Sequence, residues 1–63
     1  TLSVGRKVRA VRGPRNTMNP EPRYVGRIGE VALAMPPVAG APYYKVAFGS
    51  AVDYIDHCNL EPV

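Results

Sequence analysis

Glycine and proline cut this chain into alternating apolar pieces too short for a helix, and that punctuation constrains the fold more than any other feature. Lys7 to Arg12 puts Val8 and Ala10 on one side of an extended chain and Lys7, Arg9 and Val11 on the other, the period of two that a half-buried strand requires. Gly13 to Pro22 holds three prolines and two asparagines with little apolar content, which predicts a long surface loop. Val25 to Met35 predicts a second strand with Val31, Leu33 and Met35 on one face. Gly26 and Gly29 stand where a small sheet must bend. Pro36 to Pro42 predicts a turn. Tyr43 to Phe48 follows as a third strand with Tyr44, Val46 and Phe48 facing inward, and Gly49-Ser50 leads tightly into a fourth, Ala51 to Ile55. Asp56 to Asn59 reads as a single 3-10 turn before a last strand in which Leu60 and Val63 complete the core. The expected core is Val8, Val31, Leu33, Tyr44, Val46, Phe48 and Leu60. No amphipathic segment reaches helix length, so the fold class is all-β.

The 63 residues allow one domain, residues 1–63, and a chain of this size buries only about 60% of the surface its unfolded form exposes. Cys58 is the one cysteine, which excludes an internal disulfide, and no Cys/His set has the spacing of a structural zinc site. Stability then rests on packing or on a partner, and an oligomer or a component of a larger complex is expected. No apolar run approaches the roughly 20 residues of a membrane span, which predicts a soluble or peripheral protein. A lone thiol favours a reducing interior over secretion; the compartment is otherwise open. Thr1-Leu2-Ser3 shows no signal pattern and fits a processed or trimmed start.

Charge is divided along the chain. Residues 1–27 carry Arg6, Lys7, Arg9, Arg12, Arg15, Arg23 and Arg27 against Glu21 alone, while residues 28–63 carry Lys45 against Glu30, Asp53, Asp56 and Glu61. The basic half is a candidate docking surface for an acidic partner, because summed positive potential steers anions. An acidic protein or larger protein complex is the first expectation and nucleic acid the second; a merely solvated surface is the plain alternative. Tyr24, lying between Arg23 and Arg27, joins those residues as a candidate contact, since exposed aromatics among cations can stack on bases. Tyr43 flanks Lys45 in the same way, while Tyr44, Phe48 and Tyr54 are expected inside.

Asp56, His57 and Cys58 contain the residue types of an acid, a base and a nucleophile. Neighbours in a turn are expected to diverge, whereas a relay needs ordered hydrogen-bonded contact, so no catalytic residue is assigned. A packed Cys58 beside an exposed His57 is expected. Gly26-Arg-Ile-Gly29 lacks the length and the Lys-Ser/Thr ending of a phosphate loop, and the five acids form no pair for acid/base work. Neither metal nor cofactor is expected.

The five-strand pattern, with its Gly26-x-x-Gly29 turn and its terminal Leu60-Glu-Pro-Val63, resembles a small barrel of SH3-like type. Val4-Gly-x-Lys-Val-Arg-Ala10, Pro22-Arg-Tyr-Val-Gly-Arg-x-Gly-x-Val31 and Leu60-Glu-Pro62 resemble the barrel of nitrile hydratase beta subunits; that family's helical part has no counterpart in these residues. Gly5-Arg-Lys-Val-Arg9, Gly29-Glu-Val31 and Pro42-Tyr-Tyr-Lys-Val-Ala-Phe48 are similar to the small E-type barrel of photosystem I and to the variable chain of ferredoxin–thioredoxin reductase. These resemblances imply a non-catalytic accessory subunit of an electron-transfer or metalloenzyme complex, docking through its basic face. The Gly-x-x-Gly-x-Val turn is also similar to RNA- and DNA-binding barrels of the KOW type. Gly49-Ser-Ala-Val-Asp-Tyr-Ile55 resembles the closing half of type II dihydrofolate reductase, which would imply a tetrameric enzyme with a shared pore.

Overall fold

Alternation produces strands where it predicts them, and backbone irregularities decide which side chains they bury. The computed structural model describes residues 1–63. Five strands, β1 (Lys7–Ala10), β2 (Ile28–Val38), β3 (Ala41–Phe48), β4 (Ala51–Asp56) and β5 (Leu60–Pro62), form one antiparallel sheet in the order β4-β3-β2-β1-β5. The all-β expectation holds, with β4 and β5 at the two edges of the hydrogen-bonded ladder. The 3-10 turn before the last strand is present at His57–Asn59, and a second one, not anticipated, spans Pro22–Tyr24. Pro22 opens that turn, where its missing N–H costs nothing.

One face of the sheet collects the core: Val8, Ala10, Tyr24, Val31, Tyr44, Val46, Phe48, Ile55 and Leu60 are buried. Leu33, expected among them, is instead half exposed. Between Val31, which pairs with Val46, and Leu33, which pairs with Lys45, β2 advances two residues while β3 advances one. Ala32 is therefore the extra residue of a β-bulge, and such an insertion flips every later side chain of the strand to the other face. Val63 and Tyr54, also expected inside, are exposed.

The turn expected at Pro36–Pro42 is much shorter. A second register shift, between Met35 and Val38, absorbs Pro36 and Pro37 within β2, since prolines fit a sheet at bulges where no ladder donor is needed. Only Ala39 and Gly40 remain as the hairpin loop, at φ 50° and 78°. Positive φ at both central residues is what a tight hairpin of primed type demands.

Tyr24 is the largest departure from expectation. Its ring stacks on Phe48, centroids 4.4 Å apart and planes 8° from parallel, and the residue is only 3% exposed. Gly29 makes room nearby: a Cβ there would lie 2.7 Å from the Ala47 carbonyl oxygen and 2.9 Å from Phe48 Cδ1.

The long loop preceding the first 3-10 turn is fixed from beneath by a polar side chain. Asn59 is fully buried, and its Nδ2 donates to Met18 O at 2.9 Å and Thr17 Oγ1 at 3.0 Å. Gly13 abuts the same amide; a Cβ there would overlap Asn59 Oδ1. Within the loop, Asn19 accepts from the Gly13 N–H and donates to Pro14 O. The loop is thus tied to the turn before β5 through the Asn59 amide, and Pro20 is buried at its far end.

Candidate docking face

Antiparallel pairing partly dissolves the charge division of the sequence. Lys7 pairs with Glu30 across β1 and β2, and its Nζ lies 3.2 Å from Glu30 Oε1. Arg9 stands opposite Glu61 of β5, and Arg23 Nε lies 3.4 Å from Glu21 Oε1. The two exposed ion pairs, Lys7–Glu30 and Arg23–Glu21, stabilise little, but they reduce the potential presented to a partner, whereas Arg9 forms no ion pair.

The remaining basic residues are carried by several different elements. Lys7 and Arg9 project from the outer face of β1, opposite the buried Val8 and Ala10. Arg23 and Arg27 lie over the Tyr24 ring, their guanidinium carbons 4.8 Å and 5.9 Å from its centroid. Arg6 precedes β1, and Arg12 and Arg15 lie on the long loop. The expectation for Tyr24 is corrected: with Phe48 stacked on its ring and burial nearly complete, it has no free face for a partner. Its flanking arginines suggest a surface contact in the sequence; in the fold they cover the ring.

A second surface lies on the outer side of β2, β3 and β4. On the outer face, Leu33 of β2, Lys45 of β3 and Tyr54 of β4 form one cross-strand row, and Glu30, Ala47 and Val52 form the next. Ile28, Leu33, Val52 and Tyr54 are each between 44% and 50% exposed. Sequence reasoning misses this surface because the Ala32 bulge, which turns Leu33 outward, leaves no mark in composition or alternation.

The free edge beside this surface is blunted. Asp53 Oδ1 accepts from the Tyr54 N–H at 2.9 Å and its Oδ2 accepts from the Glu21 N–H at 2.8 Å, while the Asp56 N–H donates to Met18 O at 2.8 Å. Edge strands are commonly shielded in this way against pairing with other chains. Both oxygens of Asp53 thus hold the chain's own backbone.

Asp56, His57 and Cys58 are closer than their adjacency suggests. His57 Nδ1 lies 3.0 Å from Asp56 Oδ1 and 3.2 Å from Pro42 O, so the acid and the imidazole do meet. The reason is that Asp56 caps the 3-10 turn, its carboxylate folding back to accept from the Cys58 N–H at 2.9 Å. That bond chiefly holds the Asp56 carboxyl below its ordinary pKa, against the opposing effect of burial. Cys58 is exposed where a packed thiol was expected. Its Sγ donates to Asn59 Oδ1 at 3.3 Å. Although the residue as a whole is exposed, its sulfur is partly shielded at the contact with Asn59; that shielding, helped by the Asp56 carboxylate, pushes the thiol pKa up, the opposite of what a nucleophilic cysteine needs.

An apolar groove of about 460 Å³ opens beside His57, lined by Leu2, Met35, Pro37, Pro42 and Tyr43 among others. No three His, Cys, Asp or Glu side chains come together as a metal site would require, and no helix is long and apolar enough to cross a membrane. Comparison with known protein families, curated proteins and solved structures finds no match for this chain.

Proposed function

We propose that this chain is a non-catalytic docking module that binds an acidic surface of a protein partner, as an accessory subunit of a larger assembly of the electron-transfer or metalloenzyme kind its resemblances imply. One observation carries the reading. Arg6, Arg9, Arg12, Arg15 and Arg27 are all exposed and none forms an ion pair, although four carboxylates lie in the second half of the chain. Cross-strand pairing neutralises Lys7 and leaves these arginines to attract an anion. Long-range attraction of this kind acts mainly on the rate of encounter.

The test is association kinetics of wild type and an Arg9→Glu/Arg12→Glu variant with the protein that co-purifies with the native chain, at two salt concentrations. The variant should associate more slowly at low salt, and the difference should shrink at high salt, where screening shortens the reach of exposed charges to well under about 8 Å. Folding should be preserved, since exposed charges away from packed features matter by less than about 0.5 kcal/mol. Equal association rates at low salt would reduce the arginines to solvated surface and remove the basis of the proposal.

A further inference from the structure

Granting that the chain docks on an acidic partner, we infer that the contact itself is made by the outer face of β2, β3 and β4, and that its occupant is a partner segment presenting a carboxylate among apolar side chains. The inference starts from Lys45. It stands between Leu33 and Tyr54 in one row, with Ala47 and Val52 in the next, and its ammonium forms no ion pair. Glu30 on the same face is held by Lys7 at 3.2 Å, and Glu61 lies across β1 from Arg9. A single unpaired cation ringed by exposed apolar groups is complemented by one carboxylate ringed by apolar groups. Docking would strip water from the ion pair and strengthen it, while the surrounding side chains supply buried area.

The bulge supports the assignment independently. In a regular, unbulged strand of this sequence Leu33 would continue the inward set begun by Val31; the backbone irregularity re-aims a leucine from core to surface, which bulges beside functional sites commonly do. Two other occupants fit worse. A second copy of this chain, paired about a two-fold axis through the patch, would bring Lys45 against Lys45 with no free carboxylate nearby. Strand addition at the β4 edge is obstructed, because the Tyr54 and Asp56 N–H groups are already bonded to Asp53 and Met18.

The experiment uses the whole chain, isotopically labelled, titrated with three probes: a 12-residue peptide alternating leucine and aspartate, its leucine/lysine counterpart, and a 12-nucleotide oligouridine. The acidic peptide should bind, with amide shifts centred on Leu33, Lys45 and Tyr54, and the lysine peptide should not. Leu33→Ser should weaken binding about tenfold or more, the effect of truncating a central interface anchor, and Lys45→Glu should transfer the preference to the lysine peptide. Leu33 is exposed, so its variant should keep the wild-type melting curve. Shifts centred on Arg12 and Arg15, with Lys45→Glu without effect, would overturn this site and leave the basic docking surface standing. Absence of acidic-peptide binding overturns the site whatever the arginine variants do. Oligouridine binding at Tyr54 that excludes the peptide would assign the face to nucleic acid and overturn the protein occupant.

Discussion

Replacing Asn59 separates a loop held by hydrogen bonds from one held by packing. In Asn59→Ala two donors are lost, to Met18 O at 2.9 Å and to Thr17 Oγ1 at 3.0 Å, each contributing about 1 kcal/mol net. A fully buried amide also leaves a small void, adding about 1 kcal/mol. The Met18 carbonyl is not orphaned, because the Asp56 N–H still reaches it at 2.8 Å, which limits the total to about 2–4 kcal/mol. A domain of 63 residues has only about 3–9 kcal/mol to lose at roughly 0.05–0.15 kcal/mol per residue. The melting temperature should fall by roughly 10–25 °C. Asn59→Asp is the sharper variant. It keeps the shape but turns carboxylate oxygens toward the Met18 carbonyl, so at neutral pH it should be no more stable than the alanine variant. Placed among acceptors, the new carboxyl has a folded pKa above its unfolded value. Its stability is therefore fullest at low pH and is lost as pH rises from about 4. Urea unfolding of the three proteins from pH 3 to 8, with hydrogen exchange at the Asp56 amide to follow the loop, checks this. Wild-type stability of Asn59→Asp at pH 7 would show that the amide donors do not hold the loop.

Ala39→Asn should raise stability by about 1 kcal/mol, because Ala39 sits at φ 50°, a left-handed conformation that asparagine adopts more readily before glycine; an unchanged or lower melting temperature counts against a two-residue hairpin loop at Ala39 and Gly40. For Asp56, the folded pKa is lowered by the Cys58 N–H, so its contribution is full above the unfolded carboxyl pKa and disappears as pH falls below about 4. Asp56→Asn should keep the cap and flatten that acid limb of the urea midpoint; identical limbs in both proteins would remove Asp56 from the cause.

Alternation and turn chemistry place the strands because their signals are local. Val8, Tyr44, Val46 and Phe48 sit in uninterrupted period-two stretches, and each is buried as its parity requires. Parity is also where sequence reasoning fails, since one inserted residue reverses it for everything downstream. Ala32 carries no chemical mark of a bulge; only the mismatch of β2 against β3 reveals it, and that mismatch is a property of two strands together. The prolines at 36 and 37 are visible as breakers, but whether a breaker makes a turn or a second bulge depends on the register its partner imposes. Tyr24 escapes for a related reason. Its neighbours Arg23 and Arg27 suggest a wet surface, whereas Gly29, without a side chain, lets Phe48 approach and leaves a place for the ring. The charge division meets the same limit: basic and acidic halves of an antiparallel sheet become opposite neighbours, so a split along the chain turns into pairs across it. What pairing leaves over, the free arginines and the single cation among exposed apolar side chains, is the part with chemistry still to offer a partner.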